Sequence, residues 1–277
     1  MQTGDPPLSS RQSGQAVGFD AALGEILAGR LDRTLAIQWF TTRDDPDSNP
    51  VIEADAILSD GHCDVVAGYP LLVDKLGRPR AGIGKLPPFT GATPEDRQRW
   101  IGLGELVGTR PYRRDAITVA LAPSRLDRSV HNLGDLEGLR VGAAIHGLPD
   151  LIVMSYRQGE LADAVVHFGA SDALFEHLEN SNIDAAIVGQ RELDAWRLAH
   201  PGTRIAPTGY LHSIGFNIGF VGLATNRILI ERVNGVLDEL LDHGQLADIA
   251  RGNGVTYIAP RPPDISPDVT VSALNGD

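Results

Sequence analysis

Apolar side chains at Phe19, Leu23, Ile26, Leu27 and Leu31 recur at three- and four-residue intervals, which predicts a helix over about 20–31 with one buried face. Residues 35–40 form a short apolar run before a polar loop at 41–50 and read as a strand. A second helix is predicted over 51–59, closed by Asp60-Gly61, and a buried strand over 64–68. From 73 to 107 the pattern breaks: Pro79, Pro87, Pro88 and Pro94 are mixed with glycines, and only 94–100 reads as helical. A loop this long inside a compact domain is either functional or mobile.

Regular alternation resumes with predicted strands at 116–121, 140–145, 164–168, 183–188 and 215–223. Helices are predicted from 149, over 173–179 and 192–200, and at 227–241 and 244–251. Strands separated by helices of about ten residues imply parallel α/β sheets, here two of them. The expected architecture is two α/β lobes, the first from 1–119 plus 220–277 and the second from 120–219. Two connecting strands form a hinge, and 73–107 is an insertion in the first lobe.

Twenty-four Lys and Arg against thirty-six Asp and Glu give a net charge of −12, which repels a phosphate backbone unless a basic patch overrides it. Arg110, Arg113 and Arg114 are the tightest basic cluster, too small for a nucleic-acid face. No run reaches the roughly 18–20 apolar residues of a membrane helix. Cys63 is the only cysteine, so the chain offers neither an internal disulfide nor a cysteine-based zinc site. The first residues carry no basic and apolar leader.

The common catalytic signatures are missing: no Gly-x-Ser-x-Gly elbow, no phosphate loop and no His-Glu-x-x-His pair. His62, Cys63 and Asp64 are adjacent, but alternate residues of a strand face opposite ways and do not converge. Asp45, Asp47, Asn49 and Glu53 approach calcium-loop spacing. Pro50 stands where the turn needs glycine and Ala56 where the bidentate carboxylate belongs, so a solvated acidic loop is the better reading. No metal, cofactor or catalytic residue is expected.

Five segments occur in one order: Gly18-Phe19-Asp20, Asp64-Val65-Val66-Ala67-Gly68, Arg110-Pro111-Tyr112, Leu136-Glu137-Gly138-Leu139-Arg140-Val141-Gly142 and Asp184-Ala185-Ala186-Ile187-Val188. With Asn226 and Gly244-Gln245-Leu246 they resemble the family 3 extracellular solute-binding proteins, of the type 2 periplasmic binding fold. Trp39, the segment from His62 to Pro70 and the segment from Gly108 to Arg114 are similar to the subfamily that accompanies quinoprotein alcohol dehydrogenases.

The resemblance implies a periplasmic, monomeric, non-catalytic protein that closes on a small ligand between two lobes and serves an ABC permease. The alternative is an accessory partner of a periplasmic quinoprotein dehydrogenase with an altered cleft. The family fold opens with a strand directly before the Asp5-Pro6-Pro7 turn, and the chain starts after it. The first sheet is therefore expected to lack a central strand. In the subfamily a cysteine of that strand would be the partner of Cys63.

In open α/β sheets ligands sit outside the carboxyl ends of the strands. That places Tyr69, His146, Gly147 and Gln190 among the candidates, with Asp5 from the turn that the resemblance marks. The Gly147–Pro149 turn opens a helix whose first amides could hold an anion. The family's hydroxylated residue is missing there, as His146-Gly147-Leu148 stands in its place. The family's Thr-x-x-Arg, whose arginine forks onto a ligand carboxylate, is also missing, leaving Arg78, Arg80 or Arg110 as substitutes, with Tyr112 beside the last. Asp184 matches the family aspartate that faces a ligand amine, and its alternative is a turn cap. Trp39 could stack on a ligand, although an aromatic ending a strand is more often core.

Overall fold

The structure is a computed structural model describing residues 1–42, 49–267 and 269–274. Asp45 and Asp47 of the acidic loop lie outside the described residues. In chain order the strands and helices begin with β1 (Ser10–Gln12), β2 (Gln15–Val17), α1 (Phe19–Arg30), α2 (Pro50–Ser59), β3 (Val66–Pro70), β4 (Ile83–Lys85), β5 (Trp100–Gly102), β6 (Leu106–Gly108) and β7 (Arg113–Leu121). They continue with β8 (Val141–Ala144), α3 (Leu148–Ser155), β9 (Val165–Phe168), α4 (Ser171–Glu179), β10 (Ala185–Gly189), α5 (Gln190–Ala199), β11 (Ala206–Leu223), α6 (Arg227–Asp242), α7 (Gln245–Gly252) and α8 (Val271–Leu274). Two compact units result: Met1–Arg114 with Phe216–Asp268, and Asp115–Gly215 with Val269–Asp277. The chain passes from one to the other inside β7 and inside β11.

In the first unit Phe19, Leu23, Leu27 and Leu31 form the predicted helix face and pack against Val233, Leu237 and Leu240 of α6 and Leu246 and Ala250 of α7. The chain enters α1 through Gly18, at φ 113°, where a β-carbon would lie 2.4 Å from the Leu8 carbonyl oxygen. Only glycine allows that approach. It lets the Phe19 and Asp20 amides donate to the carbonyls of Pro7 and Leu8, at 3.1 and 2.9 Å, so the helix start is satisfied by the preceding turn.

β11 pairs antiparallel with β3, Ile218 opposite Pro70, and with β6, Val221 opposite Gly108. The parallel sheet expected here is therefore absent among the described strands. The predicted strand at 35–40 is also corrected: only Phe40 enters bridges, with Gln2 and Phe89, and 33–39 is extended without a ladder. A strand needs a neighbour, and beside 33–38 lies instead a cavity of about 300 Å³, whose far side is 62–67. The insertion at 73–107 is not structureless. β4 and β5 pair as a two-stranded ribbon, and the helix predicted over 94–100 reduces to one 3-10 turn at Asp96–Gln98, after which Trp100 opens β5.

The second unit has strand order β7-β10-β8-β9, antiparallel between β7 and β10 and parallel thereafter. Alternation explains why β7 and β10 read as unbroken apolar runs. Val119, Ala185 and Ile187 belong to the core that includes Ile152 and Val153 of α3, while Ala120, Ala186 and Val188 belong to the one that includes Leu174 and Phe175 of α4 and Leu193 of α5. Both faces are buried, so neither can be polar. Hydrogen exchange should separate these situations: the amides of Ala186 and Ile187 are expected to exchange at least about a thousandfold more slowly than those of Leu35, Ala36 and Ile37. Equal rates would contradict the assignment of 33–38 as unpaired backbone.

Candidate functional site

Three of the sequence motifs meet in one buried node of the first unit. The Tyr112 hydroxyl donates to Asp20 Oδ1 at 2.9 Å and accepts the Gly68 amide at 2.8 Å. Tyr112 is fully buried between Phe19 and Phe220, with ring centroids 5.8 and 4.9 Å away. Burial, reinforced by the charge of Asp20, holds the phenol well above its ordinary range, so it remains a donor. Tyr112 is thus a structural tie joining α1, β3 and the entry to β7.

The other two motifs meet at Asp184 in the second unit. Its Oδ1 accepts Arg125 Nε at 2.9 Å, and its Oδ2 accepts the Arg140 amide at 2.9 Å and Arg140 Nε at 3.1 Å. Burial alone would raise this acid. The hydrogen bonds from the Arg140 side chain and backbone, and from Arg125, outweigh it and hold Asp184 at about 2. Both carboxylate oxygens are engaged within the chain at the starts of β8 and β10.

The remaining candidates divide into packing and surface groups. Tyr69 is buried in the core below β3, its hydroxyl donating to the Lys75 carbonyl at 2.9 Å, and Trp39 is buried with the Arg11 guanidinium 5.9 Å from its ring centroid. Both are packed within the first unit. Gln190 is buried at the start of α5 and donates to Asp194 Oδ1 at 2.9 Å. Arg110 is exposed and bound to Asp238 and Asp264, each at 3.1 Å, which leaves its fork engaged within the molecule. Asp5 forms a tight turn, its carbonyl accepting the Leu8 and Ser9 amides.

His146 and Gly147 open α3 as expected, His146 exposed at φ 64° and Gly147 at the N-cap. The anion seat has an internal tenant. Asp150, in the first turn, accepts the His146 amide at 3.2 Å through Oδ2 and lies 2.9 Å from His167 Nε2 through Oδ1. A ligand carboxylate at Gly147 would meet that charge. At the start of α5, Glu192 likewise caps Gly189.

Sequence reasoning missed Asp55. It lies inside the buried stretch from Glu53 to Leu58 of α2, at 1% exposure, with Oδ1 accepting Ser59 Oγ at 2.8 Å and the Gly104 amide at 3.2 Å. Its Oδ2 is buried without a partner. The available signal was a carboxylate interrupting an apolar helical run. Cys63 is a free thiol that burial pushes up to about 11, far from a nucleophile's range. Among the described residues no three His, Cys, Asp or Glu side chains are grouped to hold a metal, and no helix is long and apolar enough to cross a membrane.

No protein-family model matches the chain, and no curated protein matches it either. Solved structures do. The unliganded, open L-cystine solute receptor of Neisseria gonorrhoeae aligns with a TM-score of 0.63 at 14% identity, over 94% of this chain and 93% of that one. The open second substrate-binding domain of Lactococcus lactis GlnP aligns at 0.62 and 17%, over 90% and 92%. The second substrate-binding domain of a putative amino acid ABC transporter from Streptococcus pneumoniae aligns at 0.61 and 16%, over 93% and 98%. At such identities the likeness shows the fold, the α/β periplasmic-binding fold, and nothing finer.

Two outcomes follow from the nodes. Tyr112→Phe removes the hydroxyl that links Asp20 and Gly68 and should cost about 1–3 kcal/mol in denaturant unfolding; an unchanged midpoint would contradict the tie. Asp184 is depressed below its ordinary 3.8, so its contribution of about 2 kcal/mol is complete above that pH and is lost as pH falls through about 2. Acid unfolding of Asp184→Asn should lack that loss and begin from a less stable protein at neutral pH.

Proposed function

We propose that this protein is a non-catalytic receptor for a small polar solute, acting in the periplasm and delivering its ligand to an ABC permease. The observation that carries the reading is the alignment over nine-tenths or more of both chains with receptors and substrate-binding domains named for cystine or amino acid transport. The ligand loops in this reading are those after β3, β8 and β10, with His146 and Gly147 after β8 and the buried Gln190 after β10, and with Asp5 in the turn that precedes β1. The carboxylate of Asp150 at the start of α3 favours solutes whose amine, rather than carboxylate, meets that loop. Capture needs no covalent step. The ligand need only bind one conformation better than the other.

A second reading, an accessory partner of a quinoprotein dehydrogenase, has one observation in its favour. Trp100 and Ile83, 63% and 56% exposed, stand on one face of the β4–β5 ribbon, since Trp100 pairs with Lys85 and Ile83 with Gly102. Thermal unfolding against amino acids, amines and small organic acids decides between them. A receptor gains about 2.7 kcal/mol at a hundredfold excess of its ligand over the dissociation constant. Silence across the panel, together with dehydrogenase stimulation that Trp100→Ala abolishes, would replace the first reading with the second.

A further inference from the structure

Residues 75–94 hold four cations, Lys75, Arg78, Arg80 and Lys85, and no acid, in a chain whose net charge is −12. Both lysines of the chain are among them. Lys75 is bound to Asp74 at 2.6 Å, whereas the side chains of Arg80 and Lys85 have no hydrogen bond or ion pair among the described residues. The acid-free stretch carries β4, so the basic island of an acidic protein coincides with the β4–β5 ribbon.

The two faces of that ribbon differ. Gly84 and Ile101, opposite each other in the register, face inward: Ile101 is buried in the core with Ile57 and Leu58 of α2, and a β-carbon at Gly84 would lie 2.7 Å from Ile52 Cγ2. Arg99 pins the start of β5 through both oxygens of Asp60, at 2.6 and 3.0 Å. The outer face is thus held on a fixed frame, and it carries Ile83, Lys85, Trp100 and Gly102. Lys85 stands directly opposite the exposed Trp100, and Arg80 lies within about 11 Å of Ile83 along the chain. An open indole ring flanked by free cations suits a boundary between water and lipid, where one end of the ring is apolar and the other wet. Two such side chains offer on the order of 300 Å² of apolar cover, well below the roughly 800 Å² per partner of a stable protein interface. A bilayer asks for less, because the ring needs only to seat among headgroups while the cations meet phosphate.

We propose that the outer face of the β4–β5 ribbon docks on an anionic lipid bilayer, with Trp100 and Ile83 entering the headgroup layer and Lys85 and Arg80 against the phosphates. The remainder of the chain is acidic and is repelled from such a surface, so contact is confined to the ribbon. This docking is independent of what the ligand loops bind, and it gives the face an occupant other than a dehydrogenase.

The full chain mixed with vesicles of phosphatidylglycerol in phosphatidylcholine, and with vesicles of phosphatidylcholine alone, tests this directly. Trp39 and Trp196 are buried, so collisional quenching by acrylamide reads Trp100. The anionic vesicles should co-sediment the protein, shift its fluorescence to the blue and shield Trp100 from acrylamide, with binding that weakens as salt is raised. Neutral vesicles should do none of these. Trp100→Ala and, separately, Lys85→Glu with Arg80→Glu change only exposed or half-buried side chains, and each should weaken co-sedimentation at least about tenfold. Equal binding to both kinds of vesicle, binding that ignores these variants, or no binding at all would overturn the proposal. So would shielding of Trp100 by polyglutamate without vesicle binding, which would give the face to an acidic protein.

Discussion

The Tyr112 hydroxyl is the constraint from which the first unit is built, because it bonds at once to α1 and to β3. Tyr112 donates to the buried Asp20, and the same oxygen accepts the amide of Gly68, a glycine at φ 76°. A β-carbon at Gly68 would lie 3.4 Å from Asp20 Oδ2, an ordinary contact, so it is the positive φ that calls for glycine there. A buried carboxylate without such a partner would cost several kcal/mol, a large part of the margin by which a typical domain is stable.

The second unit repeats the logic with different chemistry. Asp184 draws the ends of Arg125 and Arg140 over the start of β10, and reciprocal backbone bonds, Asp184 amide to Arg140 carbonyl and Arg140 amide to Asp184 carboxylate, set β10 beside β8. With β8 and β10 placed, the loops that follow them, at 145–147 and 189–190, are carried to one end of the sheet. The segments by which the sequence resembles solute-binding proteins are therefore joints of the scaffold. They position loops, and the loops are where such proteins differ from one another.

That division explains what the sequence made legible. α1, α6 and α7 were readable because one helix face meets one core, and β7 and β10 because both of their faces are buried. The stretch at 33–39 reads as a strand by composition, yet strand formation is a property of two backbones and its neighbour is a cavity. Pro94 and its neighbours suggested a helix start, but Trp100 and Ile101 were needed for the ribbon with β4. The site residues were the least legible. Tyr69, Tyr112 and Asp184 carry polar groups that look available in one dimension, and burial has already committed each to a partner. Asp55 looked like an ordinary helix residue, and only its surroundings make it unusual.

The proposed function is capture of a small solute without bond making, on a scaffold held by the Tyr112 and Asp184 nodes. Native mass spectrometry of the full chain, purified without prolonged dialysis and then incubated with millimolar amino acids and amines, measures that most directly. The account predicts a saturable small-molecule adduct of unchanged mass that leaves intact when the protein is partly unfolded. A bare chain at every ligand concentration, or a product differing in mass from the molecule added, would contradict it.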